Sequence, residues 1–440
     1  MADFRIHIDE WLDARDVRSA ELRETWCRLR MTLDDRSLIA LQDHATGSTR
    51  DSLYLPAYVL AEWFVDRYMF HIHEYRRATA VLEPEYSYRH NLRYNREGYL
   101  FPEIAVEPRS ESQLSITVRR MDYPKEGKTF NLEQQFLIDR TGFEFGVRRF
   151  IEAVVERLED RGVANTYLAL RWSEYVRADP EEVDFITTMA SMGVHHATLE
   201  ESQSNAFLRA WEILPEDVAR VMVHHVSFKD VVDHAERFAE VARLLEEQAT
   251  EARELVTIRR ELQHELPREQ RPWHYGYLLA RAFREKLGIE EGIITGPESI
   301  DHCVGRVIPR LETELFSHEI LTRVRAMIYA DPESTRVQFG LPHVVHPVPA
   351  LFNFCRALGE YLLSGAGRYT AVSGIDRWDQ QVNRAFAAEF LLPALLLQKR
   401  IDARTVQWHT IDEVAREYHV SSELVRWQLR NQTSIQLEED

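Results

Sequence analysis

The chain has 440 residues, about three times a modal domain, so two or three domains are expected. Apolar residues at 45% and charged residues at 29% exclude global disorder, and 54 Lys and Arg against 72 Asp and Glu give −18, which excludes a uniformly basic polyanion binder. Three scattered cysteines, Cys27, Cys303 and Cys355, form no disulfide or CxxC pattern, and the charged start MADFRIHIDEWLDARD has no apolar core, so a cytoplasmic protein without membrane spans is expected.

Helical and strand periods mix over residues 1–130. Leu53–Tyr75 reads as a buried helix with Pro56 near its start, 85–107 as turns and short strands, and Gln113–Arg120 as a half-buried strand. From 131 to 265 the signal is helical. Gly142–Arg161 has helical spacing, and Asp179-Pro180-Glu181-Glu182 and Pro215-Glu216-Asp217 each open a helix with an acidic first turn. Ala235–Leu262 has no Gly or Pro and predicts one long helix. Pro267 and Pro272 mark a joint. Beyond it come a helix over Tyr275–Leu287, a strand over Thr335–Phe339, helices over Leu351–Leu363 and Val382–Leu397, and a pair of short helices within Ile411–Asn431. The expected fold is α+β and predominantly helical. It divides into an α+β module (1–130), a helical middle region (131–265) and a second α+β unit (266–440).

The segments PWHYGYLLARAFREKLGI (272–289), LFNFCRALGEYLLSG (351–365), QVNRAFAAEFLLP (381–393) and IDEVAREYHVSSELVRWQLRNQ (411–432) occur in an order similar to the ImmA/IrrE family of zinc metallo-endopeptidases. The resemblance implies a zincin-like C-terminal domain. It also implies an activity directed at Xre-type repressors, which members cleave or otherwise inactivate. The family's catalytic helix carries HExxH, in which two histidines four residues apart hold zinc and the Glu polarises the metal-bound water. Residue by residue, Arg356 stands at the first His, Ala357 at the Glu and Glu360 at the second His. The third-ligand place falls at Val382, with Asp379 one turn away. Arginine has no lone pair for a metal, and alanine is no base. The zinc of the family therefore lacks its ligands here. No catalytic residue and no cofactor is expected. The residues alone read Arg356 and Glu360 as an i,i+4 pair on a helix, weak if exposed, or a similar structural pairing; the alternatives are an ion pair filling the former metal pocket and a rebuilt active site.

Other candidates are weaker. His343 and His346 precede the degenerate helix and, with Glu360, are the candidates for a rebuilt metal site; the pairs at His71/His73, His195/His196 and His224/His225 are poorly spaced for chelation. Arg89, Arg93 and Arg96 among Tyr88 and Tyr94, and Arg426 and Arg430 in the last helix pair, are candidates for nucleic-acid contact. No GxxxxGK[ST], GxGxxG or GxSxG occurs. The expected function is a catalytically degenerate, protein-binding regulator of a basic DNA-binding repressor, in stress response, mobile-element control or phage defence. The alternatives are an active zinc endopeptidase with a non-standard site, and a nucleic-acid-acting protein working through its N-terminal module.

Overall fold

Alternating apolar residues build the first strands. In the computed structural model, which describes residues 3–77, 84–95, 98–267, 271–296, 299, 312–316, 323–342, 347–364, 367–401 and 404–437, the chain forms two compact units, Met1–Leu199 and Glu200–Asp440.

In the first unit, β1 (Phe4–Trp11) pairs antiparallel with β2 (Trp26–Leu33) after the short α1 (Ala20–Glu24). Then follow β3 (Arg36–Ser37), β4 (Leu41–Asp43), β5 (Ser48–Arg50), β6 (Leu53–Pro56), α2 (Ala57–His73), α3 (Pro84–His90), β7 (Glu103–Pro108), β8 (Gln113–Arg119), β9 (Met121–Tyr123), β10 (Lys128–Phe130), β11 (Gln134–Asp139), α4 (Arg140–Asp160), α5 (Tyr167–Arg177) and α6 (Pro180–Ser191). Three small sheets result: β1-β2-β3 with β6 on β2, β5-β4-β10-β9, and β11-β8-β7. The run expected as one helix from Leu53 is a strand and then a helix. Leu53–Pro56 pairs with β2 at Cys27↔Leu55, and α2 starts only behind Pro56. α6 opens as expected, with Asp179 and Glu182 forming a reciprocal capping box.

The second unit runs α7 (Glu201–Ile213), α8 (Glu216–His225), α9 (Phe228–Gln248), β12 (Thr250–Glu251), α10 (Arg253–Glu265), α11 (Pro272–Lys286), β13 (Glu312–Phe316), β14 (Val324–Ala330), β15 (Arg336–Pro342), α12 (Pro347–Leu363), β16 (Tyr369–Ser373), α13 (Trp378–Leu391), α14 (Ala394–Arg400), β17 (Thr405–Val406), α15 (Trp408–Glu417), α16 (Ser422–Gln432) and β18 (Gln436–Leu437). Its main sheet has the order β12-β15-β14-β16, with β13 parallel to β15. One apolar core joins the sheet, α10 to α16 and the buried faces of α12 and α13. Two glycines set the helix spacing there. A Cβ at Gly276 would lie 2.5 Å from the carbonyl oxygen of Val382, and one at Gly359 would lie 2.7 Å from the Phe386 ring.

The joints differ from those expected at 130 and 265. Phe143, Phe150, Val154, Leu168 and Trp172 share one core with β1, β2 and α2, so the first part of the helical stretch belongs to the N-terminal unit. The predicted long helix over Ala235–Leu262 is broken. Thr250 and Glu251 leave it to pair with Val337 and Arg336 of β15, and Arg336 caps the end of α9 through the carbonyls of Ala249 (3.0 Å) and Glu246 (2.8 Å). Likewise Val382–Leu397 divides at Leu392-Pro393, where Glu389 accepts the Ala394 N–H at the start of α14.

Candidate functional site: a buried polar ring

α12 is apolar on almost every side, so its two charged residues are carried inside with it. Arg356 and Glu360 are each 5% exposed. The two residues are therefore not an exposed pair. Residues 356 and 360 lie on one helical face, and that face meets β16 and the first turns of α13.

The two charges are not in direct contact: no ion pair within 4 Å joins them among the described residues. Two amides of α13 lie between them. Arg356 Nε donates to Asn383 Oδ1 (2.9 Å), and its Nη2 donates to Gln380 Oε1 (3.2 Å) and to the carbonyl of Ser373 (2.6 Å). On the other side, Asn383 Nδ2 (2.9 Å) and Gln380 Nε2 (3.3 Å) both donate to Glu360 Oε2. The four side chains close a ring in which every hydrogen bond runs from the guanidinium through an amide to the carboxyl. That direction fixes which end of each amide is oxygen. Gln380 and Asn383 are fully buried, so the ring lies in a dry setting where such bonds polarise one another.

Burial pushes the Glu360 carboxyl up to about 8, the nearby Asp379 charge adds to this, and the Asn383 hydrogen bond and the Arg377 and Arg356 charges only partly offset it. Asp379 itself lies 3.2 Å from Arg377 Nε. Burial likewise lowers Arg356, to about 9, with Arg384 contributing.

These residues do not fit a zinc ion. Arg356 presents only N–H donors, and both amides aim their N–H groups at Glu360 Oε2, where a cation would need a lone pair. Ala357 and Val382 are fully buried in the apolar core. Among the described residues, no group of three His, Cys, Asp or Glu side chains converges. His343 and His346, with Arg96 and Cys303, lie outside the described residues.

The other candidate residues are tied into local structure. Arg89 clasps Glu74 through Nε (2.7 Å) and Nη2, while His90 lies between Glu74 Oε2 (3.0 Å) and the Val106 carbonyl (2.6 Å). Arg93 pairs with Glu103 at 3.1 Å. Arg89 and Arg93 are therefore matched by carboxylates of their own unit. His71 reaches the Arg89 carbonyl (3.2 Å), His73 faces Arg140 and His195 faces Arg171; burial holds all three imidazoles below their usual range, His73 at about 3 and His195 at about 4. His225 of α8 meets Ser373 Oγ at 2.8 Å. Arg426 pairs with Glu423 and lies over the Trp408 ring at 4.6 Å, and Arg430 is exposed in the last turn of α16. No helix among the described residues is long and apolar enough to cross a membrane.

Sequence alone does not single out Gln380 and Asn383, although each directly follows a position that it does, Asp379 and Val382. Their one signal is the i,i+3 spacing of two neutral amides on an otherwise apolar helix face. Comparison with protein-family models and with curated proteins gives no match to this chain.

Proposed function

We propose that this chain is a catalytically inactive regulator that binds a protein partner through a metallopeptidase-like, zincin-type C-terminal scaffold, and that the partner is a basic DNA-binding repressor of the Xre type. The observation that carries the reading is the ring. At the i and i+4 positions where the resembled family holds its metal, this chain has a guanidinium and a carboxyl sealed by two amides, with no general base at residue 357. Such a centre can cross-link α12 to α13 but offers no group to activate water. The net charge of −18 supports a basic protein partner over nucleic acid, since an acidic surface attracts the former and repels the latter.

The test is to mix the purified chain with purified Xre-type repressors of its own host and follow complex formation by sedimentation and repressor integrity by mass spectrometry. A stoichiometric complex with the repressor intact is expected. Cleavage of the repressor, or no complex with any of them, overturns the reading.

A further inference from the structure

Among the described residues β16 is the last strand of its sheet and pairs only with β14, at Ala326↔Val372 and Ile328↔Thr370. In such a strand the polar groups of alternate residues face away from the neighbour and lack a partner unless another strand arrives. Ala371 and Ser373 face the open side, and one side chain takes a backbone group from each. Gln380 Nε2 donates to the Ala371 carbonyl (3.0 Å), and the Ser373 N–H donates to Gln380 Oε1 (2.9 Å).

One residue of a parallel neighbouring strand would make the same two bonds, its N–H to the carbonyl before Val372 and its C=O from the N–H after it. A carboxamide carries the same donor and acceptor as a peptide group. Arg356 then takes the Ser373 carbonyl (2.6 Å), and His225 of α8 holds the Ser373 hydroxyl from a third element. Val372 is 0% and Ser373 1% exposed. An apolar residue at 380 would leave two backbone groups unpaired in this dry setting.

We infer that Gln380 is a built-in strand mimic that closes the edge of β16, so that an extended peptide, whether from a partner or from a second copy of the chain, is not taken up there as an added strand. A partner of this chain is met on other surfaces. The inference goes beyond the proposed regulatory role and stands apart from it, because neither metal content nor repressor binding bears on these two backbone bonds.

Hydrogen exchange of the full chain, resolved to single amides around residues 369–375, tests it. In the wild type the Ser373 amide is expected to exchange as slowly as the β14 amides of Met327 and Ile328. Gln380→Leu is expected to speed Ser373 exchange about fivefold or more, the loss of one ordinary hydrogen bond. A synthetic peptide VRAMIYA, the sequence of β14, is expected to leave the Ser373 amide unperturbed. Open-edge exchange of Ser373 in the wild type, unchanged exchange in a folded Gln380→Leu chain, or saturable binding of the VRAMIYA probe with a shift at Ser373 each overturns the inference. The two wild-type measurements decide it even where Gln380→Leu fails to fold.

Discussion

Each unit buries a carboxyl within reach of an arginine, and the two arrangements differ in one respect. In the first unit Glu74 receives its hydrogen bonds directly from charged or chargeable donors, Arg89 and His90. In the second, Glu360 receives them from amides, with Arg356 one amide further off. Burial pushes both carboxyls up. For Glu74 the direct bonds and charges of His90 and Arg89 outweigh burial and hold it below its usual range; for Glu360 they do not, and it rises to about 8. A neutral relay satisfies hydrogen-bond geometry without supplying the Coulomb attraction that keeps a buried charge ionised.

The largest expected effect follows from breaking the direct pair. Glu74→Leu leaves the buried His90 and the half-buried Arg89 without their anion and is expected to cost about 3–5 kcal/mol, measured by urea unfolding of the first unit. Arg356→Met is expected to cost less, about 2–3 kcal/mol. It strands the acceptors of Ser373, Asn383 and Gln380, but Glu360 can go neutral without it. Equal losses in the two units would break the comparison.

The pH dependence sharpens it further, because the two units should respond with opposite sign. His71, His73, His195 and His196 of the first unit are depressed by burial, with His73 at about 3 and His195 and His196 at about 4. Below about pH 6.5 the unfolded chain therefore binds protons that the folded unit does not, and this unit loses stability as pH falls. Glu360 is raised, so from about 8 down to its ordinary range the folded second unit holds a proton that the unfolded chain lacks. Its contribution to stability grows as pH falls through that window, by at most about 1.4 kcal/mol per pH unit. Urea titrations at successive pH values, read unit by unit through pulse proteolysis, should show the two slopes diverge. The smallest effect is expected for Glu360→Gln. It retains an acceptor for Asn383 and resembles the protonated carboxyl that burial favours, so stability should change by less than about 1 kcal/mol and the slope of the second unit should flatten.

Much of the scaffold is legible in the sequence where the signal is local. The capping box at Asp179 and the acidic helix openings mark their helices, and the alternation of Gln113–Arg119 marks β8. What local signals miss is long-range pairing. Nothing in Ala235–Leu262 announces that Thr250 and Glu251 will leave a helix to meet β15, which lies 85 or more residues later. The same limit applies at the ring. Arg356 and Glu360 would look identical in sequence on a solvent face, and only the packing of α12 beneath β16 and α13 puts them inside. Glu74, at the end of α2, finds Arg89 and His90 of α3, a partnership set by folding and not by spacing along one helix.

The central proposal is that a hydrogen-bonded ring holds the α12–α13 crossing at the place where the resembled family holds its metal. Elemental analysis of the purified full chain after exchange into zinc-containing and then zinc-free buffer tests it most directly. The account predicts zinc far below one ion per chain, and the same urea midpoint with and without a chelator. One zinc per chain, lost in Glu360→Ala together with a chelator-sensitive midpoint, would contradict it.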